Sequence, residues 1–258
     1  AKAGHPRFPN QVPSSQGILE EVVKNTLVAP FNDLEAVETI MQTHGNEVAG
    51  IILEPVPMNM GYVLPKAGFL QGLREMANDY NSVLIFDEVK TSGKFYRGAT
   101  GYFKVKPDLV TMAKAIAGGY PLSVVAGKRE VMNCVVPGLV SHAGTFNSNP
   151  LCITAGLVTL SKILTEKAMN HATKLSEMLA KGYEDWRSFL TSEVSRWLLY
   201  LMVMMNRGIM PMAPGPDEQW TISVQHTKED IQKHLEVFKQ VAEYVRKLDI
   251  EMPMVEAV

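Results

Sequence analysis

The sequence predicts an α/β fold built on a mostly parallel sheet, and two observations carry that expectation. Short continuous apolar runs, the mark of strands covered on both faces, recur along the first half of the chain. Between them lie stretches with helical spacing, so that helix and strand alternate as right-handed crossovers require.

The elements follow in order. "NDLEAVETIMQTHG" sets Asn32 to cap a helix, with Glu35 three residues on, Leu34, Val37, Ile40 and Met41 on one face and Gly45 as the stop. "VAGIILEPV", residues 48–56, reads as a buried strand. "GFLQGLREMANDYN" returns to a helical period, "SVLIFDE" is a second strand, and "PDLVTM" and "LSVVAG" are the third and fourth. Ahead of all these, "AKAGHPRFPNQVPSSQG" has turn residues and no periodicity, so it is expected as loop, with the chain entering mid-fold. A charged helix over 227–247 keeps Ile231, Leu235, Phe238, Val241 and Val245 on one side. A division into 1–160 and 161–258 is expected.

Composition narrows the function classes. With 25 basic and 27 acidic side chains, net charge near −2, the chain offers no basic field for nucleic acid or an anionic membrane. Two cysteines, Cys134 and Cys152, lack metal-site spacing and suggest no disulfide framework, so no metal is expected and a reducing, cytoplasmic setting is. The most apolar window, "WLLYLMVMM", is far shorter than the roughly 20 residues of a membrane-spanning helix and reads as buried packing. The methionines at 202, 204, 205, 210 and 212 read as adaptable packing, and His142 and His226 as structural hydrogen-bonding groups.

Ligands of open parallel sheets bind beyond the carboxyl ends of the strands. There the sequence places Glu54 and Asn59, then Asp87 and Glu88, then Lys114 twenty-seven residues after Asp87. A lysine amine forms a Schiff base with an aldehyde, and pyridoxal phosphate is the commonest biological aldehyde so used. A carboxylate at the pyridine nitrogen keeps that nitrogen protonated and makes the ring an electron sink. The "AGG" after Lys114 allows the backbone to come close. In "SHAGTFNSNPLCITAGL", Gly144 and Thr145 offer N–H groups and a hydroxyl to a phosphate, ahead of a helix that Asn149 caps and Pro150 begins.

Taken in order, "LIFDEVKTSG", "PDLVTMAKAIAGGYP" and "HAGTFNSNPL" resemble the class III pyridoxal-phosphate aminotransferases, in the subgroup that includes the glutamate-1-semialdehyde aminomutases. The likeness covers most of 20–190 and about 205–245. It implies the type I fold of pyridoxal-phosphate transferases, with a large domain and a smaller C-terminal α+β domain. By this resemblance Lys114 carries the cofactor and shuttles protons, Asp87 faces the pyridine nitrogen, and Val89 packs on the ring. Asn59 lies near the ring's phenolic oxygen. Thr145 binds the phosphate of the neighbouring subunit's site, which implies a homodimer, and Glu218 lies at the substrate entrance. The implied activity moves an amino group between an amino acid or amine and a carbonyl compound. The alternatives are the aminomutase that makes 5-aminolevulinate and a non-catalytic remnant that acts by dimerisation. Family members carry a long segment ahead of this chain's start, including a phosphate loop and a ring-stacking aromatic residue, and a longer small domain, so the chain is expected to be incomplete. "TSGKF" replaces the family's "TGFR", and the spacing from Asp87 to Lys114 is one residue tighter than in the family.

Overall fold

The opening stretch, expected as loop, pairs with itself. In the computed structural model, which describes residues 2–5, 8–59, 62–182, 202–207, 209 and 222–247, β1 (Lys2–His5) and β2 (Phe8–Val12) form an antiparallel ribbon with a register shift between Lys2 and Gly4. Ribbon pairing satisfies backbone groups whatever the side-chain pattern, so a search for periodicity passes over it. Pro9 is tolerated because both strands of such a ribbon are edges.

Two compact units follow from the chain's contacts, Ala1–Met58 with Tyr62–Leu157, and Asn59–Gly61 with Val158–Val258. In the first, α1 (Glu20–Lys24) carries an exposed Lys24–Glu20 pair at 3.0 Å. The cap of α2 (Leu34–His44) is Asp33, whose carboxylate accepts the Ala36 N–H at 2.9 Å. Asn32, the expected cap, stands one residue outside and clamps a distant loop. Its amide donates to the Leu64 carbonyl at 2.9 Å and accepts from the Lys66 N–H at 2.7 Å. Gly45 does end α2, but with a right-handed φ of −55°. Its lack of a side chain is needed because a Cβ there would enter the Tyr80 ring.

One sheet organises this unit. β3 (Gly50–Leu53), β4 (Val83–Asp87), β5 (Leu109–Met112) and β6 (Val124–Gly127) lie side by side in that order. The first three are parallel, with Ile85 opposite Leu109 and Asp87 opposite Thr111. β6 runs antiparallel to β5. Its connection from β5 contains one 3-10 turn, Lys114–Ala117, and a parallel return needs a crossover of a dozen or more residues, usually a helix. Between β3 and β4 runs α3 (Phe69–Asp79), whose buried Phe69, Leu70, Leu73 and Ala77 meet Val37 and Met41 of α2 and Leu84 and Phe86 of β4. Removing a ring such as Phe86, with no exposed surface, costs about 3–5 kcal/mol.

Coverage of the strands differs from the expectation of two buried faces. In β4 burial alternates, with Leu84 and Phe86 in the core and Val83, Ile85 and Asp87 half-buried. On β3, Ile52 is 65% exposed. A groove of about 790 Å3 runs along β3, lined in part by Leu27, Phe31, Ile40 and Leu53.

α4 (Gly98–Phe103), α5 (Arg129–Met132) and most of α6 (Pro150–Val158) complete the first unit. As expected, Asn149 caps α6, its side-chain oxygen accepting from the Leu151 and Cys152 N–H groups at 3.0 and 3.3 Å.

Among its described residues the second unit is helical, and the strands of an α+β domain are not found there. α7 (Glu166–Gly182) and α8 (Lys228–Lys247) share a small core of Leu175, Leu179 and Ile231. Thr227 and Asp230 cap α8 reciprocally, the Asp230 N–H donating to Thr227 Oγ1 at 3.2 Å and the Thr227 N–H to Asp230 Oδ2 at 2.8 Å. His226 is a hydrogen-bonding group, Nδ1 accepting the Ser223 N–H at 2.9 Å. Met204 is buried as packing, whereas Met202 and Met205 are exposed, and Met210 and Met212 lie outside the described residues.

Candidate active site

Two polar groups stand at the carboxyl ends of β4 and β5. Strand alternation sends Leu84 and Phe86 into the core and therefore Asp87, the last residue of β4, to the other face. Asp87 Oδ1 accepts the Val89 N–H at 3.0 Å and the Thr111 hydroxyl at 3.2 Å. Neither bond reaches Oδ2, so half of the carboxylate is left to accept a further donor.

Lys114 follows two residues after β5. The chain stays extended at Ala113 and then turns abruptly, with Lys114 at φ +54° and Gly118 and Gly119 at +58° and +100°. A left-handed lysine costs about 1–2 kcal/mol that a glycine would avoid, so the surrounding turn holds it in place. Its side chain is exposed and takes no part in the ion pairs found among the described residues. From the pairing of Asp87 with Thr111, the Cα atoms of Asp87 and Lys114 are no more than about 15 Å apart, given ~4.8 Å between strands and ~3.3 Å per residue. A lysine stem, an aromatic ring and a carboxylate together span such a distance.

The sequence reading assigned Glu88 no role, although it stands beside Asp87. It is 2% exposed. One carboxylate oxygen accepts from the Thr91 hydroxyl at 3.0 Å and from the Ala99 N–H. The other accepts from the Thr100 N–H at 2.9 Å and the Thr100 hydroxyl at 2.6 Å. Its charge thus meets the N-terminus of α4, where anions are favoured. Gly98, at φ +66°, makes room, since a Cβ there would strike this carboxylate. The available signal was Thr91 three residues after an acid and Gly98 ten after it.

The remaining expected residues are dispersed. Val89 is half-buried and held to Asp87 by its N–H. Asn59 is exposed, follows the buried run Pro55–Met58 and falls with the second unit. Gly144 and Thr145 lie in an exposed turn closed by the Asn147 N–H donating to the Gly144 carbonyl at 3.0 Å, and Phe146 beside them is 82% exposed. Among the described residues no hydrogen bond joins this turn to Asp87 or Lys114. Glu218 lies outside the described residues. His142 is exposed.

A second lysine marks this end of the sheet. Lys94, half-buried on the connection from β4 to α4, has its pKa lowered to about 8, first by burial and then by the charge of Lys90. Among the described residues no cluster of histidine, cysteine and acidic side chains is suited to a metal ion, and no helix is long and apolar enough to cross a membrane.

An exposed amine without an ion pair among the described residues and a half-satisfied carboxylate, on neighbouring strand ends, suit a flat aromatic aldehyde with a basic ring nitrogen. Comparison with known proteins gives the family. Residues 2–194 match the family "Aminotransferase class-III". A glutamate-1-semialdehyde 2,1-aminomutase of Thermosipho africanus is 36% identical, the match covering 95% of this chain and 65% of that protein. An omega-transaminase from Sphaerobacter thermophilus superposes with a TM-score of 0.83 at 29% identity, covering 95% of this chain and 63% of the other. A transaminase with PLP bound gives 0.80 at 26% identity, covering 92% and 62%. The chain therefore spans a little under two thirds of the length of these proteins, and it belongs to the class-III aminotransferase family.

Proposed function

We propose that the protein of which this chain is at least a part transfers an amino group between an amino acid or amine and a carbonyl compound, with pyridoxal 5′-phosphate as cofactor. The observation that carries the reading is the pair of strand ends at which Lys114 presents an unpaired amine and Asp87 a carboxylate with one oxygen unengaged.

The cofactor, when bound, supplies an aldehyde to condense with amines and a ring that withdraws electrons from the substrate carbon. Lys114 would hold it through Nζ, and the same amine, when free, would move a proton at the substrate carbon. Asp87 Oδ2 would accept a hydrogen bond from the ring nitrogen and keep it protonated, while Thr111 and the Val89 N–H fix Oδ1 and so orient the carboxylate. Val89 would cover one face of the ring and exclude water there. The family resemblance assigns Asn59 to the phenolic oxygen and Glu218 to the substrate entrance.

Gly144 and Thr145 serve the phosphate of a second subunit's site, so the working form is a homodimer. Their exposed turn, with Phe146 beside it, supports this arrangement. The large cofactor-binding domain takes in residues 1–160, and 161–258 contribute to the smaller one. Two cysteines, both free thiols, fit a cytoplasmic setting. A second reading, conversion of glutamate 1-semialdehyde to 5-aminolevulinate, is supported by the name of the Thermosipho relative.

The test begins with purified protein and pyridoxal 5′-phosphate. Visible absorption should appear, and borohydride should fix the cofactor on the peptide carrying Lys114. A colourless protein with no fixed cofactor overturns the reading in favour of a non-catalytic remnant. For a loaded protein, turnover that needs a second keto compound supports the aminotransferase, and turnover of glutamate 1-semialdehyde alone supports the mutase.

A further inference from the structure

Glu88 has more hydrogen-bond partners than capping α4 requires, and they lie on both sides of a loop. Through Ala99 and Thr100 it holds the start of α4, and through the Thr91 hydroxyl it holds the 3-10 turn Thr91–Gly93 that follows β4. The Glu88 N–H donates to the Thr111 carbonyl at 2.9 Å, which extends the β4–β5 ladder one step past Asp87. The Glu88 carbonyl accepts the Ser92 N–H at 2.9 Å, which closes the turn from below.

That turn abuts the one that carries Lys114. Gly93 lies against Ala115 so closely that a Cβ at Gly93 would collide with the Ala115 methyl. A continuous path of contacts thus runs from Glu88 through Thr91 and Gly93 to Ala115, the residue after Lys114. The same carboxylate belongs to the residue after Asp87. One buried side chain is thus linked to the Lys114 turn by contacts and to Asp87 by the backbone, and touches neither group.

We infer that Glu88 is a positioning residue that sets the separation of the Lys114 amine and the Asp87 carboxylate by stapling the Thr91–Gly93 turn between them. The inference rests on the amino-transfer reading for its purpose and on the contact path alone for its mechanics. A carboxylate is required because all four donors point at it; a neutral amide would set its own N–H groups against backbone N–H groups. Gly93 is required because any side chain would push the Lys114 turn away.

The test uses the unloaded chain first. In Glu88→Gln, backbone amide exchange should quicken at Ala99 or Thr100, whichever then faces the amide nitrogen in place of a carboxylate oxygen. If the path is real, it should also quicken at least tenfold at Ile116 and Gly118, whose N–H groups close the Lys114 turn on the Ala113 and Ala115 carbonyls. Thr91→Val, which cuts only the link to the turn and leaves the carboxylate its other donors, should quicken Ile116 and Gly118 without affecting Ala99 and Thr100. This variant decides the question should Glu88→Gln fail to fold. Glu88→Asp should restore part of the protection. Exchange that quickens at Ala99 or Thr100 alone in Glu88→Gln, with Thr91→Val silent, reduces Glu88 to a local helix cap and overturns the inference.

With pyridoxal 5′-phosphate added, borohydride fixation on Lys114 should slow at least fivefold in Glu88→Gln, and the pH at which the visible band changes should move. An unchanged rate and an unchanged pH profile count against a positioning role. If the unsubstituted chain takes up no cofactor, the amino-transfer reading falls, and the exchange results still decide the staple.

Discussion

Asp87 and Asp108 sit at opposite ends of the same pair of strands and differ in how fully they are satisfied. Asp108, just before β5, is 8% exposed in its side chain and has every acceptor engaged. Arg74 and Lys128 each approach at 2.7 Å, and the Leu84 N–H donates at 2.8 Å. Asp87 has two neutral donors on one oxygen and no cation. The saturated acid ties α3, the start of β4 and the residue after β6 to β5, whereas the unsaturated one has capacity left for a ligand. A saturated clamp and the proposed chemistry thus fall at opposite ends of the sheet.

The strongest way to break this comparison is to remove the saturated acid. Asp108→Ala leaves the Arg74 guanidinium half-buried without its partner and should cost about 3–5 kcal/mol in urea unfolding. A loss below about 1 kcal/mol would mean that the clamp is incidental. Its pH signature has a definite sign. Burial alone would raise the Asp108 pKa, but the hydrogen bonds from Lys128, Leu84 and Arg74, with the charge of Arg74, outweigh it and hold the pKa below the usual 3.8. A depressed acid contributes stability above its unfolded value and loses it as pH falls through its folded value. The acid-side decline of the urea midpoint should therefore shrink in Asp108→Asn.

At the other end, Gly98→Ala should cost about 2 kcal/mol, because it forces a left-handed alanine against the Glu88 carboxylate. Thermal melting would measure it. Lys94→Met sharpens the contrast, since this end has a half-buried ammonium with a second lysine nearby and no counter-ion among the described residues. The folded ammonium gives up its proton near 8 and the unfolded one near 10.5, so stability should rise with pH between those values in the parent chain and not in the variant. At pH 7 the variant should gain on the order of 1 kcal/mol, after discounting for partial exposure. The smallest effect is expected at Lys114. Lys114→Gly should abolish borohydride fixation while stability holds or rises by up to about 1 kcal/mol, because the glycine relieves the left-handed backbone. Marked unfolding of this variant would instead make Lys114 a structural residue.

Much of this division was legible in the residues. The strands around Ile51, Leu84, Val110 and Val125, the parallel pairing of the first three, and the placement of Asp87 and Lys114 at strand ends all follow from apolar runs and their spacing. The antiparallel turn of β6 was less visible, because it depends on the absence of a helix in a stretch whose glycines suggested only closeness. Asn32 and Asp33 are adjacent and chemically equivalent as caps, and only the long-range clamp on Leu64 and Lys66 separates them. Glu88 was hidden for a related reason. A single acid in a sequence carries no sign of being buried, and its four donors come from residues three to twelve positions away whose convergence is a tertiary fact.

β3 is the outermost strand of the four-stranded sheet among the described residues, with Ile52 exposed and an apolar groove alongside. An uncovered border of this kind is a template for adding strands from any neighbour, including another copy of the same chain. Concentrated solutions of the isolated chain should therefore tend to grow larger by accretion along this border, and a charged gatekeeper such as Ile52→Lys should keep them dispersed.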